Sequence, residues 1–149
     1  MFVPIKYESF KELMDDMKFK EILVEGTFER VWQFKINDRF DIRVYSTINI
    51  DSTECRRNGK DAIRCLVYDN ISKKVLRLER RVHRTISALI NVRLRCRELY
   101  RYVRDNSCSC GGVLIERISK TSHQFKGCSN FPVCTNNKNI VLPQLKLKI

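Results

Sequence analysis

Cys108-Ser109-Cys110-Gly111-Gly112-Val113-Leu114 and, after a polar stretch, Phe125-Lys126-Gly127-Cys128-Ser129-Asn130-Phe131-Pro132-Val133-Cys134 dominate the last third of the chain. The two cysteine pairs each lie beside a glycine turn, and seventeen residues separate Cys110 from Cys128. That arrangement lets four sulfurs meet around one tetrahedral Zn²⁺. Four thiolates leave no open coordination position, so such a zinc ion is structural. It supplies on the order of 10–16 kcal/mol toward folding a segment too short to build its own core. A structural Zn²⁺ is therefore expected at Cys108, Cys110, Cys128 and Cys134.

Cys110-Gly111-Gly112-Val113-Leu114, Arg117 and Phe125 to Cys134 resemble the four-cysteine zinc finger repeated at the C-terminus of bacterial type IA DNA topoisomerases. The resemblance covers residues 105–137. It implies a module that binds DNA, mainly single strands. The second half, F-x-G-C-S-N-F-P-x-C, follows the family pattern. The first half departs from it: Ser107 stands where the family has the first cysteine, and Cys108 follows one place later. The first knuckle is thus a tighter Cys-x-Cys, and His123 is an alternative ligand to Cys108. The chain is too short for the multidomain clamp of a topoisomerase, so the resemblance carries the finger and not the strand-passing activity.

Working outward, the charge is uneven. The chain of 149 residues has a net charge of +12, with −2 in residues 1–53, +10 in residues 54–104 and +4 in residues 105–149. A concentrated cationic middle points to a polyanionic partner, of which nucleic acid is the default. Arginine dominates that middle, with only Lys60, Lys73 and Lys74 as lysines. A planar guanidinium fits phosphates and stacks on bases. Against this, a basic surface also serves solubility alone.

Hydrophobic content of 43% is enough for a globular core. No apolar run reaches membrane length and the N-terminus lacks a signal-peptide pattern, so a cytoplasmic or nuclear location and no membrane partner are expected. Thiols stay reduced there, and seven cysteines do not make a pure disulfide framework. Cys55, Cys65 and Cys96 read as small buried hydrophobes.

The periodicity predicts an α+β protein: an antiparallel sheet flanked by two helices, then a zinc ribbon. The domains are residues 1–104, basic and α+β, and residues 105–149, the finger and its tail. A capping box at Ser9 and Glu12 opens a helix over 9–19. Strands are expected at 21–26, 30–36, 40–50, 62–68 and 73–82, the last as a charged edge. Asn37-Asp38-Arg39 makes the turn of a hairpin, and 51–61 reads as a loop. A second helix, 85–103, places Ala88, Leu89, Val92, Cys96, Leu99 and Val103 on one face. Arg93, Arg97, Arg101 and Arg104 share another side within about a quarter-turn. Such a row repels itself, and a bound anion relieves that.

The candidate nucleic-acid contacts are Arg56, Arg57, Lys60 and Arg64 on the loop and following strand, and Arg93, Arg97, Arg101 and Arg104 on the helix. The finger adds Arg117, Lys120, Lys126, Phe125 and Phe131, its rings offering base stacking. At least one of those rings serves the finger's own miniature core. The expected function is low-specificity binding of nucleic acid, single-stranded DNA first, accessory to replication, repair or recombination. RNA, or a protein partner at the finger, is an alternative. So is a small metal-dependent nuclease, for which Asp41 and Glu54-Cys55-Arg56 are the nearest match. Its usual lysine is absent and Glu54 falls in a loop. Neither histidine sits in a triad context, and no catalytic residue is assigned.

Overall fold

The computed structural model describes residues 5–26, 29–47 and 62–139. The chain divides into two compact units, Met1–Arg101 and Tyr102–Ile149. The fold is α+β.

In the first unit, helix α1 (Tyr7–Asp16) precedes strand β1 (Lys20–Ile22), β2 (Glu29–Lys35), β3 (Phe40–Thr47), β4 (Ala62–Asp69) and β5 (Lys74–His83), and helix α2 (Ala88–Asp105) follows. The strands form one antiparallel sheet in the order β1-β2-β3-β4-β5. Consecutive strands are neighbours throughout.

Helix α1 begins two residues before the expected capping box. Its N-cap is Lys6, which makes no side-chain cap, so the Ser9 and Glu12 box is not used. Burial of Phe10, Leu13 and Met14 on one stripe sets the helix instead. The helix ends early, at Asp16. There Lys18 takes φ 67°, its N–H donates to the Asp15 carbonyl at 3.0 Å, and the Phe19 N–H donates to Met14 at 2.8 Å. These are the paired bonds of a Schellman cap, and the apolar Phe19 is buried beside it.

Register places Trp32 and Phe34 of β2, Phe40, Ile42 and Val44 of β3, and Ile63, Cys65 and Val67 of β4 on one face. Both helices pack on that face. Phe10 meets Trp32 at 4.8 Å between ring centroids, Tyr100 meets Phe34 at 6.1 Å, and Cys96 contacts Cys65. Ala88, Val92, Cys96, Leu99 and Val103 are buried along α2, as the stripe requires, while Leu89 is half-buried.

The opposite face carries Gln33, Lys35, Arg43, Arg64, Tyr68, Arg77, Glu79 and Arg81 around a small apolar cluster of Val31, Tyr45 and Leu66. β5 is one of the two edges of the sheet among the described residues, and its outward residues alternate as charged groups, which discourages mispairing.

Two turns close one end of the sheet. Asn37 Oδ1 accepts the N–H groups of Arg39 and Phe40, an Asx-type turn. Arg39 makes a two-pronged bond to Asp69 at 2.9 and 2.8 Å, tying that turn to the β4–β5 turn. Burial raises the Asp69 pKa, but Arg39 and the amides of Ile71 and Ser72 outweigh it and lower the value from 3.8 to about 2.

Asp69 therefore adds stability that is complete above pH 4 and lost as pH falls toward 2, about 2 kcal/mol in all. Asp69→Asn should cost roughly 2–4 kcal/mol in urea unfolding at pH 7. The gap from wild type should narrow below pH 4, and a gap independent of pH would remove the ion pair as its cause.

In the second unit, β6 (Leu114–Ile118), β7 (Gln124–Cys128) and β8 (Asn137–Asn139) form a separate antiparallel sheet in that order. The last turn of α2 belongs here. Tyr102 Oη donates to the Leu114 carbonyl at 2.9 Å, and Lys126 Nζ donates to Asn106 Oδ1 at 2.7 Å.

The expected strand at 21–26 is only Lys20–Ile22, and the second helix starts at Ala88 rather than Thr85. Among the described residues no helix is long and apolar enough to cross a membrane. Arg56, Arg57, Lys60, Glu54, Cys55 and the 140–149 tail lie outside the described residues.

Candidate metal centre and cationic surfaces

The sulfur atoms of Cys108, Cys110, Cys128 and Cys134 all lie within 4.8 Å of one another. Cys108 and Cys134 are 3.7 Å apart, and Cys110 and Cys128 are 3.3 Å apart. A tetrahedron with Zn–S bonds of about 2.3 Å has edges of about 3.8 Å, so the cluster has the right size for one ion. Four cysteines are thus positioned to bind a metal. Cys108, despite its shifted place, completes the set, and the group contains no histidine.

Backbone geometry explains how the shortened knuckle works. The Gly111 N–H donates to the Cys108 carbonyl and the Cys108 N–H to Gly112, both at 2.9 Å, so the chain reverses within five residues. Gly111 sits at φ 95°, which a side chain disfavours. A Cβ on Gly112 would lie 2.7 Å from Ser129 Oγ and 3.0 Å from Cys128 Sγ. Both glycines are therefore required by the sulfur cluster itself.

Each sulfur accepts an amide from the residue two places on: Cys110 to Cys108, Gly112 to Cys110, Asn130 to Cys128 and Asn136 to Cys134. The two asparagines also reach across the site. Asn130 Nδ2 donates to Cys110 Sγ and Asn136 Nδ2 to Cys108 Sγ, each at 3.2 Å. Such donors hold negative sulfur and orient it.

The Cys110 amide and Asn136 lower the Cys108 pKa to about 6, whereas burial pushes Cys128 up to about 12. Four crowded thiols do not all ionise by themselves. A divalent cation removes that conflict, and the donor set fits one.

Asn130 and Asn136 escaped the sequence reading. Their only signal is position, each two residues after a ligand cysteine. Asn136→Ala or Asn130→Ala should weaken metal retention by roughly 10–100-fold, measured by competition with a chromogenic chelator. Equal retention by both variants would show that the side-chain amides are incidental.

The candidate contact residues divide by how much of their charge is already engaged. On α2, Arg93 is paired with Asp16 at 2.6 Å and Arg104 with Asp105 at 2.9 Å. Arg97 and Arg101 are exposed and make no ion pair among the described residues. Arg64 is held by Glu29 at 2.6 Å and lies over Tyr45.

In the finger, Lys126 is tied to Asn106 and lies over Tyr102, and the half-buried Arg117 donates to the Cys128 carbonyl at 3.3 Å. Lys120 is exposed. Phe125 is half-buried, whereas Phe131 is 62% exposed and its neighbour Val133 94%. Asp41 is buried and accepts bonds from Gln33 Nε2 and Asn70 Nδ2, which occupy the carboxylate structurally.

Neither a protein-family model nor a curated protein nor a solved structure matches the chain.

Proposed function

We propose that the protein binds nucleic acid, single-stranded DNA in preference, with low sequence specificity and a structural zinc ion. The observation that carries this reading is the pair of exposed arginines, Arg97 and Arg101, one helical turn apart with no carboxylate to neutralise them among the described residues. Two uncompensated guanidinium groups at this spacing repel each other in the free protein, and a phosphate backbone converts the repulsion into attraction.

The exposed Phe131 ring between two cysteines supports single-strand contact, because an unpaired base offers a face to stack on it. The likeness of residues 105–137 to the topoisomerase finger points the same way. Zinc is the metal favoured by four thiolates in tetrahedral array. The role fits an accessory factor of replication, repair or recombination.

The test is a fluorescence-anisotropy titration of metal-loaded protein against single-stranded DNA, duplex DNA and RNA of equal length at several salt concentrations. Single-stranded DNA should bind tightest, with log affinity falling linearly with log salt. Absence of binding to all three at low salt would end the reading, and a preference for RNA would redirect it.

A further inference from the structure

Among the described residues, the sheet face opposite the two helices carries Arg43. Arg43 lies flat over the Tyr68 ring, its Cζ 3.6 Å from the ring centroid. Its Nη1 donates to Tyr45 Oη at 3.3 Å, and its Nε is buried without a hydrogen-bond partner. Among the described residues it has no carboxylate partner.

Register sets Arg43 of β3 against Leu66 of β4, with Tyr68 two places along on the same face. On the far side of β4, Arg77 of β5 is exposed and makes no ion pair among the described residues. Arg77 falls where the β4–β5 register shifts, between Val75, opposite Tyr68, and Glu79, opposite Leu66. Lys35 and Arg81 lie on the same face but are paired, Lys35 with Asp38 at 3.4 Å and Arg81 with Glu79 at 3.8 Å. The carboxylates of this face are already engaged: Glu29 and Glu79 with Arg64, and Asp41 with Gln33 and Asn70. The cations of this face left without a carboxylate among the described residues are Arg43 and Arg77.

We infer that this sheet face is a seat for single-stranded nucleic acid, in which an unpaired base stacks on the Arg43 guanidinium backed by Tyr68 and a flanking phosphate meets Arg77. The inference rests on the nucleic-acid reading and adds a surface and a strand preference to it. A guanidinium held against a ring is ordered for contact with a further planar group at the part of it that reaches solvent. Bases in a duplex are hidden within their own stack, so only a single strand can supply one. The seat is sequence-tolerant, because every base has such a face.

The experiment uses full-length, metal-loaded protein and a fluorescein-labelled oligothymidylate at low salt. Arg43→Ala and Tyr68→Ala should each lower affinity by roughly 5–100-fold, the range that loss of one base stack produces. Photocrosslinking of wild type with an iododeoxyuridine-substituted oligonucleotide should mark the peptide containing Tyr68. That readout stands even where a variant folds poorly, as judged by Trp32 emission.

Wild-type affinity in both folded variants, or crosslinks confined to residues 88–139, would overturn the inference while leaving the α2 reading intact. Displacement of the oligonucleotide by polyglutamate at equal charge would also overturn it, since a base seat discriminates where mere charge does not. A wild type that binds no nucleic acid would overturn both readings together.

Discussion

Cys128→Ser is expected to release the bound metal and unfold the second unit. Cys128 is fully buried and sits 3.3 Å from Cys110 Sγ, and its sulfur accepts the Asn130 amide. The same residue anchors the sheet: it pairs with Leu114, and its N–H donates to the Asn136 carbonyl at 3.1 Å. Serine is a poor ligand for a soft tetrahedral site, and three thiolates cannot hold the ion at comparable strength. Among the described residues the unit's buried apolar side chains besides its cysteines are Val103, Val113 and Ile115. Its folding is therefore expected to draw on metal binding worth on the order of 10–16 kcal/mol.

Metal content by atomic spectroscopy should fall from one equivalent to near zero. Limited proteolysis should then cut within residues 108–134. Trp32 emission should hold, because that side chain lies in the first unit against Phe10. Chelation of the wild type should reproduce the result. Stoichiometric metal retained by the variant would refute the ligand assignment.

The double change Arg97→Ala and Arg101→Ala should weaken single-stranded DNA binding by roughly 10–100-fold at low salt and flatten the salt dependence. Each phosphate contact contributes about 0.7 to the slope of log affinity against log salt for a single strand, so loss of two removes about 1.4. The fold should not suffer, since neither side chain has a partner to lose among the described residues. Arg93→Ala is the informative contrast. Its guanidinium is bound to Asp16 across the two helices, so its removal should loosen α1 against α2 with a smaller change of slope. An unchanged slope in the double variant would remove the helix from the contact surface.

Much of this was legible in the residues alone. Alternation in Val31 to Lys35 and Phe40 to Tyr45 is an unambiguous strand signal, because a two-residue period commits each side chain to one face. The stripe of Ala88, Val92, Cys96, Leu99 and Val103 needs a helix to be buried together. The capping box was misleading. A local hydrogen bond worth about 1 kcal/mol yields to the burial of Phe10 and Met14, which lets the helix start at Tyr7. The α2 arginines were visible as a row, but their inequality was not. Asp16 lies far away in the sequence and meets Arg93 only because two helices share one face of the sheet.

By itself, the chain's order of residues determined its α+β class, its cationic centre and the four sulfur ligands, because periodicity, charge and cysteine spacing are written locally. Tertiary structure alone decided that Cys108 rather than His123 joins the cluster, that Asn130 and Asn136 brace it, and which arginines remain unspent. It also brought Arg43 onto Tyr68. Each of these depends on groups from separate segments meeting in space, and only strand pairing and helix packing set those distances.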